Sequence, residues 1–487
     1  MGKLYLFGIG GTGARIIKSF AMLCASGVQL NNCSTVIPII IDPDTSNGDL
    51  LATVDLLKQY RKIRSKISPL DEGFFKTEIA TLASLATENA AITINDSFDF
   101  KLGDTVNRSF LDFVDLYALD YENQLLLKLL YSEKNFQDTL TKGFLGNPNV
   151  GSIVLNKLKD SEEFKFFGST FNNGDRIFII SSIFGGTGAA GFPLLLKTFR
   201  NAQFEAGAQA IQNAKIGGIS VLPYFAVMSD EKSSIDSNNF ITKSKAALSY
   251  YANNIKNINA LYYIGDSEKK NYDNMEGGAS QRNEAHITEL IAAMSIFNFM
   301  RIEDNDLPDN TTKYFEYALN IKNIENPIEK FDDLGSPTKH IFGKNFVKFY
   351  LFAHFYKNYL NKSFENDWAK DLSINDTYLS SDFHGSLNSF LSAYFIPWLI
   401  EMSKNTRGFF PFKIDLDEDL TGFLNTKPID IKHNPFKKKF ENVDDFRKIL
   451  NSITAKKGST SRNIEFNCIN TFWLATNKIF TDYLKHF

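Results

Sequence analysis

The sequence predicts an α/β protein, in which a parallel sheet between two helical layers is followed by a divergent, mainly helical C-terminal region. Three uninterrupted runs of β-branched and aromatic residues indicate strands that are buried on both faces, as in parallel sheets. They cover residues 3–7, 36–41 and 176–184. Each run is followed by a loop and then by a stretch with helical spacing, which predicts a three-layer domain with right-handed crossovers.

Other elements follow from the same periodicities. Further strands are predicted at residues 216–227 and 261–264. Apolar residues at helical spacing predict helices at 14–25, 122–131, 190–203, 240–254 and 284–300. Residues 50–140 are more than a crossover needs, so we interpret them as an insertion or an elaborated connection.

The character of the chain changes after about residue 310. Residues 346–360 carry aromatic and aliphatic side chains at helical spacing, and residues 389–402 and 466–485 are similar. We therefore predict two domains, an α/β domain over 1–310 and a mainly helical domain over 311–487.

The charge balance of the chain gives no reason to expect nucleic acid or a membrane surface as a partner. The 487 residues include 53 basic and 56 acidic side chains, for a formal net charge of -3. The longest nearly uncharged run of the C-terminal half, residues 389–400, contains Pro397. It is shorter than the ~20 residues of a membrane-spanning helix.

The cysteines and histidines exclude two other classes of site. Cys24, Cys33 and Cys468 include no Cys-x-x-Cys pair and are too few for a disulfide framework. They predict small buried thiols in a reducing compartment, and hence a cytoplasmic protein. The six histidines are scattered without the spacing of a zinc site.

The first glycine-rich loop is Gly8-Ile9-Gly10-Gly11-Thr12-Gly13, between the first strand and the first helix. Glycines allow the backbone to approach a ligand closely. Successive amides and the positive end of the helix dipole together suit a phosphate. By itself this loop also fits the dinucleotide-binding fingerprint.

A second glycine-rich loop, residues 185–191, also lies between a strand and a helix. Two such units in one sheet could hold a triphosphate from two sides, whereas one alone is often only a tight turn. Neither loop matches Gly-x-x-x-x-Gly-Lys-[Ser/Thr], which argues against the P-loop mechanism. A third segment, residues 143–151, contains Asn147-Pro148 between glycines. An Asn-Pro pair between glycines is typical of a turn. Because the segment precedes the strand that leads into the second glycine-rich loop, it is a candidate lid over a phosphate.

With these motifs the sequence resembles the tubulin/FtsZ superfamily, as a prokaryotic tubulin-like protein. The second loop is similar to the family's Gly-Gly-[Gly/Thr]-Thr-Gly-x-Gly signature over Gly185, Gly186, Thr187 and Gly188, although Ala190 and Gly191 blur its end. Residues 143–151 are similar to the Gly-x-Gly-Ala-Asn-Pro-Glu-Val-Gly loop of the FtsZ branch. The first loop and the acidic turn Asp42-Pro43-Asp44 match in order and spacing.

Two further matches are weaker. Asn283, at the start of the predicted 284–300 helix, takes the place of the asparagine that reads guanine in the family; a plain helix cap explains it equally well. Asp306 and Asp309 keep the spacing of the family's Asn-x-Asp-x-x-Asp loop, which helps position the hydrolytic water of the next subunit. Asp304 replaces the leading asparagine and Pro308 is a further departure, so efficient hydrolysis is in doubt.

The resemblance implies GTP or GDP as the ligand, with Mg²⁺, and a cytoskeletal GTPase that self-associates into filaments or oligomers. Asp42 or Asp44 would lie near the nucleotide or the hydration shell of its magnesium, and Asn283 would read the base. Asp306 and Asp309 would orient water in trans. The backbone amides that would hold the phosphates are those of Gly10, Gly11, Thr12, Gly13, Gly185, Gly186, Thr187, Gly188 and Ala189, with Gly146 and Asn147 closing over the γ-phosphate.

Two alternatives remain open at this level. The first is a nucleotide-gated scaffold that binds GTP and hydrolyses it poorly, because the acidic loop is altered and the C-terminal region is foreign to the family. The second is a ThiF-like adenylating enzyme or an NAD-binding Rossmann protein. Residues 4–47 fit that class, and Arg61 and Lys62 could contact ATP, but it does not explain segments 143–151 and 185–191.

Overall fold

The structure is a computed structural model. It describes residues 2–68, 70, 72–86, 94–100, 102, 108–144, 146–203, 207–227, 238–266, 270–272, 278–318, 330–335, 338–412, 440, 442–457 and 463–484.

The centre of the molecule is an eight-stranded sheet in which every pair of neighbouring strands is parallel. Its strands are β1 Gly2–Ile9, β2 Cys33–Ile41, β3 Glu78–Ile79, β4 Asp99–Phe100, β5 Arg176–Ser182, β6 Lys215–Val221, β8 Ala260–Gly265 and β10 Lys313–Ala318. A separate parallel pair is formed by β7 Phe225–Val227 and β9 Lys270–Tyr272. The strand order is β10-β8-β6-β5-β1-β2-β3, with β4 also paired to β2.

This order changes direction between β1 and β5. In an open parallel sheet, such a switch point leaves a crevice outside the carboxyl ends of the two strands, where ligands bind. The two glycine-rich loops follow β1 and β5 directly, so the topology brings them to the same crevice.

Helices connect and cover these strands. They are α1 Gly10–Ala25, α2 Gly48–Ile67, α3 Phe110–Phe113, α4 Tyr121–Leu130, α5 Glu133–Gln137, α6 Pro148–Leu155, α7 Glu162–Thr170, α8 Gly186–Arg200, α9 Ala208–Gln212, α10 Asn238–Asn254, α11 Ile287–Arg301, α12 Lys344–Tyr359, α13 Asp367–Asp371, α14 Asp376–Leu379, α15 Asp382–Ser389, α16 Ile396–Lys404, α17 Val443–Lys457 and α18 Ile464–Tyr483. Among the described residues, no helix is both long enough and apolar enough to cross a membrane.

The helices predicted from residues 14 and 190 begin four residues earlier, at Gly10 and Gly186, so that the glycine-rich loops form their first turns. Two further elements also differ from their predicted bounds. The strand predicted over 216–227 is divided into β6 and β7 by residues 222–224, which include Pro223. The helix predicted from residue 284 begins at Ile287, and His286 caps it by accepting a hydrogen bond from the Thr288 N–H at its Nδ1 atom.

Both faces of the sheet are buried, as predicted, because alternate side chains of each strand enter different cores. In β1, Leu4 and Leu6 pack with α1, α2 and α11, whereas Tyr5 and Phe7 pack with α6 to α9. The α/β fold class predicted from the sequence is therefore confirmed.

The C-terminal region is mainly helical, as predicted, and shares the hydrophobic core of one sheet face. Phe74, which follows α2, stacks on Phe352 of α12 with ring centroids 5.0 Å apart, and packs edge-on against Trp473 of α18 at 5.1 Å. The sheet also continues beyond the proposed boundary at residue 310, since β10 pairs with β8. The division into two domains stays a prediction.

Candidate functional site

A pocket opens at the carboxyl ends of β1 and β5. It encloses about 1020 Å³ of empty space, including its open mouth. Its lining residues are Gly10, Gly11, Thr12, Arg15, Asp42, Gly143, Phe144, Gly146, Ser182, Phe184, Gly185, Gly186, Thr187, Gly188, Phe225, Val227, Phe240, Lys243, Gln281 and Asn283. A pocket at a switch point is the expected place for a ligand.

Two helices begin at this pocket with uncapped amino termini. Neither Ile9, before α1, nor Gly185, before α8, provides a side-chain hydrogen bond, and the first turns contain no acidic residue. The first amides of each helix therefore have no side-chain acceptor, and each helix end carries a partial positive charge. Gly10 also adopts a φ of 71°, which favours glycine. This arrangement suits an anion.

The backbone of the third loop packs against the start of α8, and the second loop lies beside the start of α1. A methyl group at Gly186 would lie 3.0 Å from the amide nitrogens of both Gly146 and Asn147. A methyl group at Gly10 would lie 3.5 Å from Cβ of Thr187. The three loops predicted from the sequence thus meet around one pocket.

Four of the predicted ligand residues lie behind the pocket and do not line it. Gly13 allows α1 to approach β1, since a methyl group there would lie 2.6 Å from the carbonyl carbon of Gly8. Ala189 donates its N–H to the Gly185 carbonyl within α8. Asn147 caps α6, because its side-chain oxygen accepts hydrogen bonds from the two amides after Pro148.

The fourth, Asp44, supports a neighbouring loop. Its carboxylate accepts hydrogen bonds from the N–H and hydroxyl of Ser46 and, at 2.6 Å, from the N–H of Gly278. Asp44 therefore ties the acidic turn to the segment that leads into α11.

Asp42 is the carboxylate that lines the pocket. Burial raises its pKa to about 7, and the neighbouring Asp44 and Asp49 add to this effect, although a hydrogen bond from the Asp44 N–H opposes it. Mg²⁺ in nucleotide sites is usually held by one or two carboxylates together with phosphates and water. Asp42 fits that role, and a nearby cation would favour its ionised form. Among the described residues, no cluster of three or more potential ligand side chains could hold a metal by itself.

Asn283 lines the pocket from a loop and does not open the helix. Its N–H donates to the Asp49 carboxylate at 3.2 Å, so its backbone is fixed outside α11. Next to it, Gln281 accepts a hydrogen bond from the Asn47 side chain at 2.7 Å. Two amide side chains therefore lie along the same wall of the pocket.

A buried ionic network beneath the first loop was not predicted. The guanidinium of Arg15 donates to Glu289 at 2.6 Å, to Asp49 at 2.7 Å and to the Tyr224 hydroxyl at 2.9 Å. All four side chains are buried. Burial raises the pKa of Glu289, while Arg15 and the Tyr224 hydroxyl lower it. The network joins α1, α2 and α11, and since each nitrogen of the Arg15 guanidinium has a partner within the protein, it acts as a support for the loop.

Lys243 of α10 is a second residue that the sequence patterns did not reveal. Its ammonium group donates to the Gly146 carbonyl at 2.9 Å and lines the pocket beside the start of α8. No motif surrounds it, and a lysine in a helix is usually only a solvated side chain. The signal available was its position in the helix that follows β7.

The acidic loop, residues 304–309, lies at the amino ends of the strands, whereas the pocket lies at their carboxyl ends. Asp304 pairs with Arg176 at 2.6 Å, and Asp309 pairs with Lys215 at 2.6 Å. Arg176 and Lys215 are the first residues of β5 and β6, whereas the pocket is at the carboxyl ends of the strands. Asp306 is exposed. Asp306 and Asp309 are thus not brought to the pocket of their own chain, and could meet only that of another copy.

The residues offered for an adenylating enzyme are also distant from the pocket. Arg61 pairs with Asp96 at 3.1 Å, and neither Arg61 nor Lys62 lines the pocket. Both lie in the second half of α2, about 20 Å along the helix from its start.

Comparisons with known proteins found partial similarity to solved structures. No protein-family model and no curated protein matches the chain. Similar solved structures include CetZ2 from Haloferax volcanii in a GTPγS-bound protofilament, with 12% identity and a TM-score of 0.28. CetZ from Methanosaeta thermophila strain DSM 6194 has 15% identity and a TM-score of 0.25.

These overlaps are partial for both structures. They cover 61% and 62% of this chain, and only 58% and 52% of the two matched chains. With TM-scores below 0.5, the superpositions carry no argument about what this chain does.

Proposed function

We propose that the chain is a GTP-binding protein of the tubulin/FtsZ type, whose self-association is controlled by the bound nucleotide. The observation that supports this most directly is the meeting of two uncapped helix amino termini at the switch point. The Gly146 loop is so close to the second of them that a methyl group on Gly186 would lie 3.0 Å from two of its amide nitrogens. This geometry provides amides from three segments for a chain of phosphates.

In this proposal the phosphates lie between the starts of α1 and α8. Lys243 adds positive charge on the side of the Gly146 loop, as a compact ammonium suits a phosphate oxygen. Asp42 would hold Mg²⁺, which would neutralise part of the charge of the phosphates. The base lies along the wall that carries Gln281 and Asn283, whose amide groups can both donate to and accept from guanine.

Hydrolysis would take place between copies of the chain. Asp306 and Asp309 are at the opposite edge of the sheet from the pocket, so a head-to-tail contact is needed to bring them to a neighbour's nucleotide. Filaments or oligomers of this kind are heterologous assemblies, in which one end of the chain binds the other end of the next copy.

The first test is to purify the protein, denature it and identify the released nucleotide by chromatography, with titration calorimetry of GTP, GDP, ATP and NAD on the emptied protein. We expect guanine nucleotides to be released and to bind with the highest affinity. Binding of ATP or NAD alone would contradict the proposal and favour the adenylating or dinucleotide-binding class.

A scaffold that binds GTP and hydrolyses it slowly is the second candidate. One observation favours it: Lys215, at 2.6 Å, and the Asn259 amide, at 3.4 Å, both donate to Oδ1 of Asp309. These hydrogen bonds lower the pKa of the Asp309 carboxyl, which makes it a weaker base toward water. Stoichiometric GTP that is released slowly would support the scaffold. Rapid multiple turnover would eliminate it.

A further inference from the structure

One wall of the pocket is tied by hydrogen bonds to the acidic turn and to the start of α2. This wall carries Gln281 and Asn283, both of which line the pocket. Before them, the Gly278 N–H donates to the Asp44 carboxylate at 2.6 Å. After Gln281, the Asn283 N–H donates to the Asp49 carboxylate at 3.2 Å. The backbone is therefore fixed on both sides of Gln281, and the orientation of its side-chain amide decides what it offers to a ligand.

The side-chain amide of Asn47, the residue before α2, has a fixed orientation. One end of this amide caps the helix by accepting hydrogen bonds from the N–H groups of Asp49 at 2.9 Å and Leu50 at 3.1 Å. Because both partners are donors, this end is the oxygen Oδ1, and the other end is the donor Nδ2. Asn47 is 3% exposed, so a reversed amide would leave buried N–H groups unpaired at a high cost in free energy.

This orientation determines that of Gln281. Nδ2 of Asn47 donates to Gln281 at 2.7 Å, and the atom that accepts this hydrogen bond is the oxygen Oε1. Since Asn47 does not line the pocket, Oε1 is directed away from the pocket. In the part of the chain that the structure describes, no residue accepts a hydrogen bond from the Nε2 end of the amide. Gln281 therefore presents hydrogen-bond donors to the pocket.

Guanine and adenine differ in what they offer to such a donor. At carbon 6, guanine carries the acceptor O6, whereas adenine carries an amino group, which is a donor. Opposite Nε2 of Gln281, O6 completes a hydrogen bond, whereas the adenine amino group leaves two donors facing each other. Unpaired polar groups of this kind allow a site to reject the wrong ligand strongly. The acceptor N7 is common to both bases, so a contact with N7 would not discriminate between them.

We propose that Asn47 is a positioning residue that makes the pocket select guanine over adenine, because it holds Gln281 as a donor to O6. This inference rests on the proposed function, since it requires that the base of a nucleoside triphosphate lies along this wall. Asn47 also adjoins the first glycine-rich loop, because a methyl group at Gly11 would lie 3.8 Å from its Nδ2 atom. One buried asparagine thus connects the phosphate end of the pocket with the recognition of the base.

The test is the ratio of the dissociation constants of ATP and GTP, measured by titration calorimetry at pH 8 on the nucleotide-free full chain. Asn47→Asp keeps the helix cap, because a carboxylate accepts from the same two N–H groups, but at pH 8 it is ionised and cannot donate. Gln281 should then turn Nε2 toward the new carboxylate and present Oε1 to the base. We expect the ratio to fall at least about tenfold. The added charge affects both nucleotides equally, because they carry the same phosphates.

Gln281→Met separates positioning from a general loss of structure. It removes the amide at a similar side-chain length, whereas Asn47→Asp turns the amide round, so the ratio for Gln281→Met should lie between those of the wild type and Asn47→Asp. In the double variant Asn47→Asp/Gln281→Met, the ratio should equal that of Gln281→Met alone. Asn463→Asp is the matched control, because Asn463 is an exposed cap of α18 outside the pocket. It should change neither dissociation constant.

Urea unfolding checks that each variant is folded. If Asn47→Asp does not fold, Gln281→Glu replaces it, because this variant keeps the Asn47 cap, presents an acceptor oxygen and should lower the ratio in the same way. An unchanged ratio in a wild type that prefers GTP overturns this inference alone. So does a wild type that binds ATP as tightly as GTP, or a GTP preference that depends on N7, shown by weak binding of 7-deaza-GTP with an unchanged ratio for Asn47→Asp. A wild type that binds neither nucleotide, or ATP alone, overturns the proposed function as well.

Discussion

Lys243 is the side chain with which we expect the pocket to distinguish a triphosphate from a diphosphate. Its ammonium group lies at the Gly146 carbonyl, on the side of the pocket where the third phosphate is proposed to lie. Replacing it by methionine keeps the length of the side chain and removes the charge. We expect Lys243→Met to weaken GTP binding by about 10- to 100-fold, which corresponds to about 1.4–3 kcal/mol for a charge-assisted hydrogen bond.

The measurement is titration calorimetry with GTP and GDP. GDP affinity should fall much less, since the diphosphate does not reach the ammonium group. Lys245→Met is the matched control, because Lys245 is exposed on the same helix and does not line this pocket. An equal loss for GTP and GDP would show that Lys243 acts on the fold of the loop and not on the terminal phosphate.

Asp42 should make the stability of the nucleotide-free protein depend on pH. Its pKa is raised from 3.8 to about 7 by burial, so the folded state favours the protonated carboxyl. The resulting stability is complete below pH 4 and is lost as the pH rises through 7, because the unfolded chain is then ionised at lower cost. Asp42→Asn, which cannot ionise, should gain roughly 2–3 kcal/mol relative to the wild type between pH 5 and pH 8.

Urea unfolding at pH 5, 6, 7 and 8 without nucleotide measures this difference. The same variant should also lose the gain in GTP affinity that Mg²⁺ gives at pH 8, since the amide is a poor magnesium ligand. A stability difference that does not change with pH would show that Asp42 is already ionised at pH 5. An unchanged effect of Mg²⁺ would remove Asp42 from the metal site.

At the scale of elements, the amino terminus of α8 and the Gly146 loop are fitted together so closely that one methyl group should separate them. Gly186→Ala would place its Cβ 3.0 Å from two backbone nitrogens of that loop. We expect a loss of about tenfold or more in nucleotide affinity, with about 1–3 kcal/mol of destabilisation from overpacking. Calorimetry and urea unfolding measure the two effects.

Gly385→Ala is the matched control for a glycine-to-alanine change in a helix. A methyl group at Gly385, in α15, would have no neighbour within 4 Å. We expect this variant to bind nucleotide normally and to be up to about 1 kcal/mol more stable, because alanine has the higher helix propensity. Normal nucleotide binding by Gly186→Ala would mean that the loops do not form the phosphate site together.

The elements that could be predicted from the sequence are those whose cause is local. Strands buried on both faces and loops that need glycine at Gly10 or Gly186 leave a direct pattern in the sequence. Residues that act through distant partners leave none: Arg15 meets Glu289 across 274 positions, and Lys243 meets Gly146 across 97.

Two of the differing boundaries have clear physical causes. Helix α11 begins later than the sequence predicts because the N–H of Asn283 is held by Asp49, from another part of the chain. The apolar run after Lys215 was read as one strand although Pro223 interrupts it. Proline cannot donate to a sheet ladder, so this second boundary could have been predicted.

At the scale of the whole molecule, the C-terminal region contacts the segment that carries Asn283. Ala285 donates its N–H to Glu401 at 3.1 Å, and its carbonyl accepts from Asn405 at 3.0 Å. Arg407 donates to both oxygens of the buried Asp266, at 2.8 and 2.7 Å. The pocket wall that carries Gln281 and Asn283 is thus hydrogen-bonded to the C-terminal region. A conformational change in one can therefore be transmitted to the other.

If hydrolysis occurs between copies, variants that impair the pocket and variants that impair the acidic loop should complement each other. Asp306→Asn/Asp309→Asn keeps the pocket and removes the acidic loop, whereas Gly186→Ala impairs the pocket and keeps the loop. Each variant alone should hydrolyse GTP at least about tenfold more slowly than the wild type. Mixed in equal amounts, they should recover a substantial fraction of wild-type activity, because the loop of one copy then meets the intact pocket of the other.

Phosphate release at several total protein concentrations measures this recovery, which should increase with concentration as head-to-tail contacts form. Wild-type turnover that is independent of concentration, or a mixture no more active than its parts, would show that the water is not positioned by the acidic loop of a second copy.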